Sequence, residues 1–148
     1  MILFGKFLSK LSKSKKRKDY SRLMLNWEDI IYLDNHHLIT IGAHTHTHAN
    51  LKSLNESDAL DEIKYSKLLL EKELNHSINH FAYPFGSEDQ VGERVSKYPE
   101  RLGFKTAVST NDGFVESNEL FLIKRICLGW LSTVNELESS LNGFSRVF

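Results

Sequence analysis

The stretch "IGAHTHTHANL", residues 41–51, carries three of the chain's seven histidines, at His44, His46 and His48. A strand alternates its side chains with a period of two, so extended backbone here would line all three up on one face and suggest a three-histidine metal site. A helical turn would instead bring His44 and His48 together and point His46 elsewhere, leaving a two-histidine site in need of a third ligand. Immediately upstream, "LITIG" (38–42) is rich in β-branched residues and ends at glycine. It reads as a buried strand, which puts the histidines at a strand's C-terminal end.

Outward from this point the chain alternates between two periodicities. "NWEDIIYLDNHH" (26–37) predicts a short helix over 27–36 with Asn26 as its N-cap. "SLNESDALDEIKYSKLLLEKEL" (53–74) offers Ser53, Asn55 and Ser57 as caps and sets Leu60, Ile63, Leu70 and Leu74 on one stripe, the pattern of an amphipathic helix. "INHFAYP" (78–84) reads as a strand closed by Pro84-Phe85-Gly86. A helix with Val91, Val95 and Leu102 inward and Pro99 disturbing it should follow. "FKTAVST" (104–110) and "LFLIKRICL" (120–128) are further strands, separated by the turn residues Asn111-Asp112-Gly113, and a last helix is expected over 133–141. Such alternation argues for an α/β architecture with parallel strands, whose sites gather at the strands' C-terminal ends. The histidine cluster and "YPFG" both fall there.

The chain's 148 residues are enough for one domain with a real core, and 41% hydrophobic with 26% charged residues is the balance of a globular protein. A single cysteine, Cys127, excludes an internal disulfide framework. No run reaches the roughly 18 apolar residues of a membrane span, and lysines interrupt "MILFGKFLSKL" too often for a signal-peptide core. The zero net charge hides an asymmetry: residues 1–22 hold eight Lys and Arg against Asp19 alone. Phe4, Phe7, Leu8 and Leu11 among those lysines make residues 1–22 a basic amphipathic lead segment, distinct from 23–148. It is compatible with peripheral contact with an anionic membrane or with packing on its own domain. Nucleic acid is not the expected partner, because no aromatic platform or reading motif accompanies the charge.

Neutral imidazoles are good ligands for zinc and similar divalent metals, so the cluster could mark a metal site, with His44, His46 and His48 as ligands on extended backbone or His44 and His48 on a helical turn. Thr45 and Thr47 offer hydroxyls to cap the turn or to bond a ligand's second nitrogen. His36 and His37 end the first helix, where its dipole favours cations, and read as structural. His76 and His80 flank a turn and read as surface polar residues.

"LITIGAHTHTHANL" resembles the second motif of the polysaccharide deacetylase family, the NodB homology domain of carbohydrate esterase family 4. There a strand leads into Gly-[Ser/Ala]-His-[Ser/Thr]-x-x-His. "FAYPFG" is similar to the family's third motif, "RLGFKTAVST" to its Gly-Phe-x-x-Ala strand and "LFLIKRI" to a later strand with a basic pair. The resemblance covers about residues 23–130. It implies a distorted (β/α) barrel, a divalent metal (usually zinc) held by His44 and His48 but not His46, and removal of acetyl groups from a glycan bearing N-acetyl (or O-acetyl) groups. It also implies an oxyanion donor at the Phe85 amide, with Tyr83 beside it in the same motif.

The chain departs from the family in one chemically important place. The family's first motif ends a strand in adjacent aspartates, which supply the base and the third metal ligand, and this sequence contains no Asp-Asp pair. A late Leu-x-His motif is also missing, and Ala82 stands where many relatives carry arginine. The expectation is therefore an incomplete barrel beginning inside the segment between the first and second motifs, inactive alone. The alternatives are a remnant that binds glycan or metal without hydrolysis and one half of a split deacetylase. Should another carboxylate serve as the base, Asp112 is the first candidate.

Overall fold

Capping chemistry sets the helix boundaries in the computed structural model, which describes residues 24–115, 118–126 and 133–142. Helix α1 is Trp27–Asp34. The Asn26 side chain accepts from the Asp29 N–H at 2.9 Å, and Asp29 accepts from the Asn26 N–H at 3.0 Å, a reciprocal box that satisfies two orphan donors. A single 3-10 turn at Leu51–Ser53 leads to helix α2, Glu56–Leu74. Of its three candidate caps Asn55 is the one used, accepting from Asp58 N–H at 2.9 Å. Its far end stops at Asn75, which takes the left-handed conformation (φ 58°) that closes many helices. The expected stripe faces inward: Ile63 and Leu70 are buried, and Leu60 and Leu74 pack against the core.

Strand β1 is His80–Ala82 and strand β2 is Thr106–Val108. Between them lie α3 (Glu88–Ser96) and α4 (Tyr98–Arg101). Pro99 does not disturb a continuous helix, as expected from sequence. It stands in the first turn of α4, where its missing N–H costs nothing, while the kink within α3 falls at Gly92 with φ 61°. Helix α5, Val134–Leu141, starts with a second capping box between Thr133 and Glu136. None of the helices of the described residues is long and apolar enough to cross a membrane. The basic lead 1–22 and Cys127 lie outside the described residues.

The strands pair in parallel, with His80 opposite Thr106, Phe81 opposite Ala107 and Ala82 opposite Val108. Ala43 adds a parallel bridge to Phe81 on one side, and Ile123 adds another to Val108 on the other. Two expected strands are thus reduced to single bridges. Over 38–42 the chain is not a buried strand, for Leu38 is 78% exposed and Ile39 37%. The ladder there reaches β1 through Ala43 alone, and its outer edge has no strand partner among the described residues. Along 120–128 the backbone turns at Glu119–Leu122 before it meets β2, so the ladder is limited to a few bonds around Ile123, and residues 127–128 lie outside the described residues.

Alternation along the strands divides the sheet into two faces. Phe81, Tyr83 and Ala107 point into the core with Ile63, Ile78, Val91, Val95, Tyr98 and Phe104. The Phe81 ring meets Tyr83 edge-on at 5.2 Å and Phe104 at 5.5 Å. His80, Ala82, Thr106 and Val108 line the opposite face, which opens into a cleft.

His76, read from sequence as surface polar, ties the end of α1 to the end of α2. Its Nε2 lies 2.6 Å from Asp34 Oδ2. The Asp34 hydrogen bond, helped by the Ser77 carbonyl, raises His76 above the ordinary imidazole value of 6.5. A raised value means that folding favours the charged ring. Its contribution is complete below about pH 6.5 and disappears as pH rises through the folded-state value. Because the side chain is 48% exposed, His76→Ala should cost less than about 1 kcal/mol at pH 5.5. Denaturant unfolding should find that cost gone at pH 8.5.

Candidate functional site

His44 follows directly from the Ala43 bridge, so the sheet fixes where its ring begins. The next four residues do not form a helical turn. Thr45 (φ 60°) and His48 (φ 59°) both take left-handed conformations, uncommon for non-glycine residues and especially for a β-branched one. These two reversals fold the loop so that the His44 and His48 rings meet edge-on, with centroids 4.8 Å apart. The two rings that the resemblance singles out lie together, brought there by αL residues rather than by a helical turn. His46 points away toward α2, where its ring lies 6.2 Å from Tyr65 and its N–H donates to the Glu62 carbonyl at 2.9 Å.

The threonines act differently from the sequence expectation. Thr47 donates to Glu62 through both its N–H (2.7 Å) and its hydroxyl (2.8 Å), anchoring the loop to α2. Thr45 is buried, and its hydroxyl has no hydrogen-bond partner among the described residues. The second nitrogen of His44 is served by backbone: Nδ1 lies 2.6 Å from the Ala82 carbonyl oxygen. That acceptor selects the tautomer with hydrogen on Nδ1 and leaves Nε2 as a lone-pair donor, the usual arrangement of a metal-binding histidine. Burial lowers the basicity of His44, the Ala82 bond opposes this, and the His48 ring and Arg125 lower it further. The ring is therefore neutral at neutral pH, as ligation requires.

The turn after β1 forms the opposite rim. Phe85, φ 54° and 53% exposed, lays its ring edge-on to His48 with centroids 5.1 Å apart. The next residue allows close backbone packing: the Gly86 carbonyl accepts from Thr110 N–H at 2.8 Å. A Cβ on Gly86 would lie 3.0 Å from the Tyr83 oxygen and 3.1 Å from the Thr110 nitrogen. Gly86→Ala should therefore cost about 1–3 kcal/mol in thermal or denaturant unfolding and shift the Phe85 amide resonance. Tyr83 contributes differently from Phe85. Its side chain is buried, and its hydroxyl donates to the Phe121 carbonyl at 2.9 Å, so its ring supports the turn from below. Burial pushes the phenol well above its ordinary value and keeps it a donor.

These rims border a cleft of about 730 Å³, lined by His44, His48, Phe85, Thr110 and Arg125 at the strands' C-terminal end and by Thr40, His80 and Thr106 toward their N-terminal end. Arg125 was missed as a site residue, although "LFLIKRI" contained the signal as a basic pair at a strand end. Its Nε donates to the Ser109 carbonyl at 2.6 Å, which fixes the guanidinium at the end of β2. His80, read as surface polar, also lines the cleft and is 2.8 Å from the Thr106 hydroxyl. Asp112 is exposed and does not line it. Among the described residues no group of three or more His, Cys, Asp or Glu is placed to hold a metal. Two imidazoles match zinc in donor chemistry and the His44 tautomer suits ligation, with two of the usual three or four protein ligands present among the described residues.

Comparison with known proteins identifies the family and the fold. The polysaccharide deacetylase family model matches residues 12–107, and the chain belongs to that family. Its fold is similar to the Streptococcus pyogenes deacetylase PplD, solved in complex with acetate, with a TM-score of 0.71 at 22% identity, over 90% of this chain and 54% of that one. It is also similar to BC0361, a polysaccharide deacetylase from Bacillus cereus, with a TM-score of 0.68 at 25% identity, over 92% of this chain and 46% of that one. The chain thus spans about half the length of these structures. Compared by sequence with curated proteins, it matches none. The described residues form an open part of a distorted (β/α) barrel of the NodB type.

Proposed function

We propose that the cleft binds an N-acetylated glycan with the acetyl group between the His44–His48 pair and the turn at Phe85, and that residues 1–148 alone bind without hydrolysing. The observation that carries this reading is the meeting of the two rings at 4.8 Å, with His44 Nδ1 tied to the Ala82 carbonyl, at the mouth of a cleft rimmed by Phe85. His44 and His48 would hold a divalent metal, zinc by their chemistry. When bound, such an ion supplies Lewis acidity toward an acetyl carbonyl. The Phe85 N–H is the donor assigned to the carbonyl oxygen, and Tyr83 keeps the turn in place through its bond to Phe121.

Deacetylation also needs a base to take a proton from water. No Asp or Glu lines the cleft among the described residues, and the sequence has no Asp-Asp pair. That supports binding over turnover for this polypeptide by itself. A second reading is one half of a split deacetylase, favoured by the outer edge at 38–42, which has no strand partner among the described residues and where Leu38 and Ile39 are exposed. Calorimetry with fully acetylated chitotetraose, with and without zinc, tests the first reading. Binding that zinc strengthens is expected, and the absence of binding at millimolar oligomer would overturn it.

A further inference from the structure

The cleft's electrostatics are one-sided. Arg125 is its one permanently charged lining residue among the described residues, and no carboxylate faces it. Phe81, Ala82, Phe85 and Val108 supply low-dielectric walls, which strengthen the field of a fixed charge. The guanidinium is positioned by backbone, since its Nε donates to the Ser109 carbonyl at 2.6 Å at the end of β2, close to Thr110 on the lining. A guanidinium fixed in this place pairs most strongly with an oxyanion, because hydrogen bonds between two charged groups exceed those to a neutral acceptor.

We infer that Arg125, with Thr110, recognises an oxyanion carried by the glycan, so that the substrate class is an acidic N-acetylated glycan bearing a carboxylate or phosphate near the acetylated sugar. The inference rests on the glycan-binding reading above. Planar guanidinium matches both oxyanions through paired N–H donors, which a neutral sugar hydroxyl cannot reproduce in strength. The separation of roles is physical: the histidine pair and Phe85 address the acetyl group, and Arg125 selects the charge of the chain that carries it.

The test compares two tetrasaccharides by calorimetry, neutral chitotetraose and a hyaluronan tetrasaccharide, which alternates N-acetylglucosamine with glucuronate. A second arm compares N-acetylglucosamine with its phosphate ester and separates phosphate from carboxylate. One acidic ligand should bind roughly tenfold to a hundredfold tighter than its neutral partner, as expected for charge-assisted hydrogen bonds. Added salt should shrink the contrast. Arg125→Gln should abolish it, and Arg125→Lys, which preserves the charge if the Ser109 bond proves important for folding, should keep part of it. Equal binding of acidic and neutral ligands, or a contrast that survives in Arg125→Gln, overturns the inference while leaving the glycan site standing. Failure of every ligand to bind overturns both.

Discussion

Residues 1–148 incubated with zinc and N-acetylated glycan oligomers should release no measurable acetate. The expectation follows from the groups in the cleft. On the proposed reading His44 and His48 offer two ligands and the Phe85 turn one donor, but among the described residues no carboxylate lines the cleft to accept a proton from water. Losing general-base assistance typically costs about 10²–10⁴-fold, and a metal held by two side chains should also be poorly occupied. Supplying a strand that ends in paired aspartates, in the same chain or as a separate polypeptide, should restore activity that depends on His44 and His48. Metal-dependent acetate release by the unaltered chain would show that another carboxylate serves as base. Asp112→Asn would then be the first variant to assay, although its exposed position outside the lining makes it a poor base.

The second large effect concerns the metal. His44→Ala or His48→Ala should each abolish the weak zinc binding measured by competition with a chromophoric chelator. His46→Ala should leave most of it. The structural reason is that two rings converge at 4.8 Å while the third packs near Tyr65. The loop itself should survive the changes, because Thr47 anchors it to Glu62 and the Ala43 bridge anchors it to β1. Equal losses in all three variants would mean that the three histidines act from one face, as an extended strand would have them do.

Much of this architecture was legible where a single residue type decides the local outcome. Asn26, Asn55 and Thr133 start helices because their side chains reach orphan N–H groups, and Ile63 and Leu70 recur at helical spacing on the buried face. Gly86 follows Pro84 and Phe85 because only a hydrogen fits against the Tyr83 and Thr110 backbone. Strand extent was less legible, since pairing depends on a neighbour that local sequence does not contain. Leu38 and Ile39 have strand composition but lie exposed at an unpaired edge. The histidine loop shows a similar limit. Spacing left two arrangements of the histidines open, and the left-handed conformations of Thr45 and His48 that bring His44 beside His48 are set by tertiary anchors that no propensity reveals. Arg125 and His76 escaped for the same reason, as their partners Ser109 and Asp34 are 16 and 42 residues away.

The most direct measurement is an NMR titration of isotopically labelled residues 1–148 with chitotetraose in the presence of zinc, observing backbone amides and imidazoles together. The account predicts that the His44 and His48 rings and the Phe85 amide shift in one saturable process, with Thr110 following and His46 nearly silent. Perturbations that avoid Phe85 and the His44–His48 pair, or that move His46 as strongly as its neighbours, would contradict it.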